Sequence, residues 1–151
     1  MIDRAFLSAA ALLAIMALPG KAIACWEDAA AHYGVNAHVL YAIAKTESGL
    51  NPNAVNRNKN GSYDIGLMQI NSSWLPTLRK YGVDEQRLRQ PCVNIYVGAW
   101  ILAQNMQRLG NSWEAVGAYN SSKPTLRQRY AWKVYKNLLP AASAETRAAR
   151  K

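Results

Sequence analysis

The sequence predicts a mainly α single domain with a loop-rich middle segment. Three observations carry this. Apolar residues recur at helical spacing in several segments, glycines and prolines punctuate those segments, and residues 51–63 are rich in Asn and Gly with almost no apolar content. A chain of 151 residues is also a one-domain length.

The elements follow in order. "WEDAAAHYG" predicts a short helix from Trp26 to Tyr33, stopped by Gly34. Asn36 caps "AHVLYAIAKTES", which ends before Gly49, with Val39, Leu40 and Ile43 as its apolar stripe. Glu47 falls seven residues after Leu40, within about 20° of it at ~100° per residue, so it shares the packed face. Asn51-Pro52, Asn58 and Asn60-Gly61 then break regular structure. "YDIGLMQI" reads as a short extended piece, with Ile65, Leu67 and Ile70 supplying apolar contacts. Ser72 or Ser73 caps "WLPTLRKYG". Pro91 opens a long helix striped by Ile95, Ala99, Leu102, Met106 and Leu109 and ended by Gly110. Asn111 and Glu114 fit a capping box for "SWEAVGAYN". A last helix from about Thr125 to Leu139 carries Tyr130, Val134, Tyr135 and Leu138 and stops at Pro140. The tail, 140–151, lacks large apolar residues and is predicted disordered.

Residues 1–24 read as an export signal rather than part of the domain. Arg4 precedes an apolar run from Ala5 to Leu18, Pro19-Gly20 breaks it, and Ala22-Ile23-Ala24 supplies a cleavage pattern. The run is short for a bilayer span; an uncleaved anchor is the competing reading. The domain then covers 25–139, and the processed chain keeps a net charge of +8 of the original +9. An exported basic protein suits polyanionic envelope components such as wall polymer, anionic lipid or an acidic partner. No nucleic-acid motif is present. Cys25 and Cys92, the two cysteines, are most simply one disulfide in an oxidising compartment. Lipidation of Cys25 is a weaker alternative, because Ala22 stands where such signals usually place Leu. Two Cys and two His, His32 and His38, have no metal-ligand spacing, so no metal site is expected.

The candidate chemistry lies in the acids. The histidines have no Ser or Cys partner at hand, and no Gly-rich loop precedes a Lys-Ser or Lys-Thr pair. Of the processed chain's eight acids, Glu47 and Asp64 alone stand in unusual surroundings. A Glu on an apolar face stays protonated at higher pH than usual, as a general acid for a glycosidic oxygen requires. The competing reading ties Glu47 to Lys45, Arg57 or a backbone amide. Asn56, Gln69, Asn71 and Asn120, with Tyr63 and Tyr119, are neutral hydrogen-bonding or stacking groups suited to sugars.

"ESGLNPNAVN", "YDIGLMQIN", "PCVNIYVGAWILAQN" and "WEAVGAYN" resemble, in order and spacing, lytic transglycosylases with the goose-type lysozyme-like fold. The nearest likeness is to the small branch that accompanies conjugation and type III or type IV secretion machines, and it covers Cys25 to about Leu139. The export signal predicts a periplasmic location, and a monomeric enzyme without a cofactor is expected. The resemblance implies cleavage of the β-1,4 bond between N-acetylmuramic acid and N-acetylglucosamine in peptidoglycan. One Glu protonates the leaving oxygen and then takes the proton of the sugar's own 6-hydroxyl, leaving a 1,6-anhydro end. Glu47 matches that Glu and Ser48 the Ser that supports it. Met68, Gln69 and Asn71 fall in the substrate-contacting block, and Tyr119 and Asn120 match the cleft Tyr and its neighbour. Gly66 and Leu67 match structural positions.

Two features depart from the family. After "AYN" many members continue with Ala-Gly, whereas Ser121-Ser122-Lys123 follow here. Asp64 precedes "IGLMQI" where only some secretion-associated members carry an acid. It reads either as a second carboxylate, as in hydrolytic muramidases, or as a turn-capping Asp. A wall-binding assembly factor without catalysis and a cationic membrane-active protein are the readings from other classes. Lys123, Arg127, Arg129, Lys133 and Lys136 read as a solvated face or as a docking face for anionic wall or apparatus.

Overall fold

The computed structural model describes the backbone of residues 20–148 and the side chains of residues 25–138. Most of the predicted export segment, 1–19, lies outside the described residues. The chain forms α1 (Gly20–Tyr33), α2 (Ala37–Ser48), β1 (Val55–Arg57), β2 (Tyr63–Ile65) and β3 (Ile70–Asn71). A 3-10 turn over Ser72–Trp74 leads into α3 (Leu75–Arg79), followed by α4 (Glu85–Leu88), α5 (Pro91–Leu109), α6 (Trp113–Gly117) and α7 (Pro124–Ala148).

Helix α5 is the axis of the domain. It packs against α1, α4 and α6, while α2 packs against α7. Leu40 and Ile43 of α2, Ile95 and Leu102 of α5 and Val134 of α7 are fully buried in one core, with Ile65, Met68 and Ile70 from the middle segment. Each such side chain contributes about 1.5–3 kcal/mol of burial. The disulfide Cys25–Cys92, as expected, ties α1 to the first turn of α5.

Helix ends show how local chemistry sets the frame. The Asn36 side chain accepts the His38 and Val39 N–H groups, capping α2, and Gly49 at φ 62° closes it. Several ends differ from expectation. Helix α1 begins by Gly20 rather than Trp26, since the added residues include good helix formers such as Ala22, Ala24 and Lys21. The turn before α3 is capped by Asn71, whose side chain accepts the Ser73 N–H, rather than by a serine. Helix α6 is capped by Ser112, not Asn111; Ser112 Oγ accepts the Ala115 N–H, and Glu114 instead pairs with Arg127 at 2.8 Å. Helix α7 passes Pro140, so residues 140–148 of the expected tail are helical backbone. A proline removes one ladder donor and crowds the previous turn, which weakens a helix without obliging it to end.

The middle segment is more regular than the sequence suggests. Its strands form an antiparallel sheet in the order β1-β2-β3, with Asn56 opposite Asp64 and Asp64 opposite Asn71. The turn from Gly66 to Gln69 is pinned by Asn94 of α5, a fully buried polar side chain. Its Oδ1 accepts the Met68 N–H at 2.7 Å, and its Nδ2 donates to the carbonyls of Ile65 and Leu88 at 2.9 and 3.0 Å. Gly66 is required twice over: its φ is +76°, and a Cβ there would lie 2.7 Å from Asn94 Nδ2.

Asn94→Ala would leave one N–H and two carbonyls without their partner in a site closed to water. At ~1–3 kcal/mol per orphaned group, the unfolding free energy falls by about 3 kcal/mol or more, read from urea denaturation. A loss under about 1 kcal/mol would show that the three groups find other partners.

Candidate active site

Glu47 stands in the last turn of α2, half-buried, at a cavity of about 370 Å³ between the sheet and the helices. Asp64, Asn71 and Trp74 form one wall, Tyr119 and Asn120 the other, and Ile101 of α5 also lines it. Helical phase does bring Glu47 inward. Its partner is neither Lys45 nor Arg57 but Tyr130 of α7, whose hydroxyl donates a short hydrogen bond to Glu47 Oε1.

Burial is the main influence on this carboxyl and raises its pKa above the ordinary carboxylate value. The Tyr130 hydrogen bond opposes the rise, the charge of Asp64 adds to it, and Lys133 opposes it again. Desolvation dominates, so Glu47 holds its proton to higher pH than a surface Glu. Burial likewise pushes the Tyr130 hydroxyl far up, with the Glu47 charge adding to the rise, so Tyr130 is a donor at every working pH.

Opposite Glu47, strand alternation sorts the middle segment. Asn56, Asp64 and Asn71 form one cross-strand row, since facing residues of neighbouring strands share a face. Asp64 Oδ1 accepts from Asn71 Nδ2 at 2.7 Å and Oδ2 from Asn58 Nδ2 at 3.1 Å. Tyr63 belongs to the other face, with Ile65, because side chains alternate along a strand. Its hydroxyl donates to Glu85 Oε2 at 2.5 Å, and Glu85 also pairs with Arg89 at 2.6 Å. Tyr63 is therefore not on the cavity wall, and Glu85 is its anchor.

Other predicted site residues divide between wall and support. Gln69 lines the cavity at φ +50°, a left-handed conformation uncommon outside glycine. Its amide is committed to the scaffold: Nε2 donates to Gly66 and Ala54 carbonyls at 2.8 and 3.2 Å, and Oε1 accepts from Asn56 at 2.6 Å. Asn56 thus supports Gln69. Ser48 Oγ donates to the Leu67 carbonyl at 2.8 Å and accepts the Asn51 N–H at 3.1 Å, fastening the end of α2 to the turn. The Met68 side chain is fully buried in the core, where a helix glycine, Gly98, makes room for it, so it does not face the cavity. Its carbonyl accepts the Tyr119 hydroxyl at 2.9 Å.

Sequence reasoning missed Asn58, Trp74, Ile101, Asn94 and Tyr130. Asn58 had a usable signal, two residues after Asn56 in alternating phase. Tyr130 had none, because an apolar stripe shows which face is packed, not what a hydroxyl meets 83 residues away. The same stripe included Tyr135, which is 38% exposed.

A family model, the transglycosylase SLT domain, matches residues 24–136. Invasion protein IagB of Salmonella typhimurium (strain SL1344) is 44% identical over 128 residues, covering 80% of each chain. Protein IpgF of Shigella flexneri is 41% identical over 124 residues, covering 79% of this chain and 82% of its own. In the solved structure of lytic transglycosylase Slt from Pseudomonas aeruginosa, an inactive Glu-to-Gln mutant, the match has a TM-score of 0.64 at 25% identity. It covers 82% of this chain, which spans 24% of that one. With its lysozyme-like fold and a protonatable Glu at the cavity between sheet and helices, the chain belongs to the transglycosylase SLT domain family.

Proposed function

We propose that the protein is an exported peptidoglycan lytic transglycosylase in which Glu47 is the general acid and base. The observation that carries this is the half-buried carboxyl of Glu47, held by Tyr130 and facing the cavity. Protonated Glu47 gives its proton to the oxygen of the β-1,4 bond between N-acetylmuramic acid and N-acetylglucosamine. The leaving sugar departs with that proton, and positive charge develops at C1 of N-acetylmuramic acid. Glu47, now a carboxylate, removes the proton of that sugar's 6-hydroxyl, whose oxygen closes on C1. Atoms and charge balance without water, and a 1,6-anhydro end remains.

Tyr130 orients the carboxyl and stabilises its anionic intermediate form. Gln69, Asn71, Tyr119 and Asn120 shape the sugar cleft, and Ser48 and Asn56 position it. The secretion-associated sequence likeness and the name of the Salmonella relative support a role in opening the wall locally for a secretion or conjugation apparatus. The disulfide supports export to the periplasm, and no helix among the described residues is long and apolar enough to cross a membrane.

The place of Asp64 in the cavity is also compatible with a second reading, hydrolysis. Its carboxylate lines the same cavity, held by Asn58 and Asn71, where it can stabilise charge at C1 while water attacks. Mass spectrometry of the released muropeptides separates the two. The proposal expects products lighter by one water than hydrolysis products; hydrated reducing ends would assign the lysozyme route.

Glu47→Gln is expected to abolish release of soluble fragments from purified peptidoglycan, by at least ~10²-fold, while Tm is kept or slightly raised. The stability that Glu47 contributes in its acid form is complete below the ordinary carboxylate range and is lost as pH rises through its elevated value. At neutral pH a neutral amide therefore costs nothing of that kind. An active Glu47→Gln protein would refute the assignment.

Tyr130→Phe removes a hydrogen bond that lowers the Glu47 pKa. The basic limb of the pH–rate profile, where the acid is lost, is expected to move to higher pH while the maximum rate falls. A profile that only scales down would reduce Tyr130 to a packing role.

A further inference from the structure

Four of the seven large hydrophobic side chains exposed among the described residues, Trp113, Leu126, Trp132 and Tyr135, belong to α6 and α7. Three of them form one surface: the Trp113 and Tyr135 rings lie 5.4 Å apart and the Trp132 and Tyr135 rings 5.6 Å. With Pro124, Thr125 and Gln128 they line a groove of about 550 Å³, distinct from the Glu47 cavity. Trp132 is 57% exposed, far beyond what core packing requires.

Charge and position say what fits there. From Pro124 to Leu138, α7 carries Arg127, Arg129, Lys133 and Lys136 and no acid. Arg129 and Lys136 directly follow Gln128 and Tyr135, about 100° round the helix, so exposed cations flank the groove. Glu114, the acid on its wall, is already paired with Arg127. The groove is also close to the cleft. Asn120 lines one and Pro124 the other, and four steps of ~3.8 Å keep their Cα atoms within about 15 Å. The link is Ser121-Ser122-Lys123, the segment that departs from the family pattern.

We propose that the groove between α6 and α7 is a second, non-catalytic binding site for the peptidoglycan strand, with sugar rings on Trp113, Trp132 and Tyr135 and peptide carboxylates on Arg129 and Lys136. This rests on the substrate reading above. The C–H faces of pyranose rings stack on exposed indole and phenol faces, and the peptides of the polymer supply the anions. A strand leaving the cleft past Asn120 meets Lys123 and then the groove. The concave shape suits an inserted chain better than a flat bilayer.

Binding is separable from cutting in the Glu47→Gln background, where pelleting with purified, lipid-free sacculi reports affinity alone. Trp132→Ala is expected to weaken pelleting about tenfold, and Trp132→Phe to keep most of it. Tyr81→Ala, at an aromatic 74% exposed outside the groove, is expected to change nothing. Arg129→Gln with Lys136→Gln should flatten the salt dependence of binding. Trp132→Ala pelleting as tightly as its parent would overturn the site. So would a Trp132→Ala defect seen only on phosphatidylglycerol vesicles or only in binding an acidic protein. The substrate reading is tested separately: if wild-type protein releases no fragments from the same sacculi, that reading fails whatever Trp132 does.

Discussion

The buried side chain of Asn94 is the constraint on which the site depends. The turn between β2 and β3 must run close to α5, through a left-handed Gly66 and a left-handed Gln69. That path presents backbone groups to a region without water, where each would cost roughly 1–3 kcal/mol unpaired. Asn94 satisfies three of them with one amide. Met68 can then bury its side chain against Gly98 while its carbonyl turns to Tyr119. Ser48 fastens the same turn to the end of α2 through the Leu67 carbonyl. The strand row bearing Asp64 and the helix turn bearing Glu47 are therefore held by one set of hydrogen bonds.

The last helix completes that arrangement from the other side. Tyr130 bonds Glu47, and Asn137 Nδ2 donates to Thr46 Oγ1 at 2.8 Å, so α7 is stitched to the end of α2 by polar contacts beside their apolar packing. Gly117 of α6 lies against the backbone of Arg127, an approach that any Cβ would block. The outer face of α7 carries the aromatic groove while its inner face positions the Glu47 carboxyl. Cleft geometry and groove geometry thus share one rigid element, and a strand bound along both would keep a fixed relation to Glu47.

Much of this was legible because the relevant forces are local. Asn36 and Gly49 mark the ends of α2 by their own side-chain and backbone chemistry, and seven-residue spacing from Leu40 puts Glu47 on the inward face. The long helix behind Pro91 is equally plain. What failed was partner choice. Asn111 and Ser112 are both good caps, and only the path of the chain selects Ser112. Asn, Gln and Tyr suit a sugar cleft and a scaffold equally well. Asn56, Tyr63 and the amide of Gln69 turned out to bond protein, whereas Asn58 and Trp74 reach the cavity. Asn94 sits among apolar residues in a long helix, where its sequence context says nothing of the carbonyls it meets.

Asp64 shows how the two readings of the chemistry rest on one electrostatic fact. Its hydrogen-bond donors are amides, Asn58 and Asn71, which hold a carboxylate's oxygens without cancelling its charge. A cation in their place would quench the field that Asp64 exerts across the cavity. That field has two consequences under the proposed reaction. It helps Glu47 keep its proton before bond cleavage, and it favours positive charge developing at C1 during cleavage. Both assist the first half of the reaction whether the 6-hydroxyl or water attacks afterwards. The difference lies in the second half, where Glu47 removes a proton from whichever hydroxyl is nearer. The choice between anhydro and hydrated ends is then a matter of which nucleophile the cleft admits, not of how many carboxylates it contains.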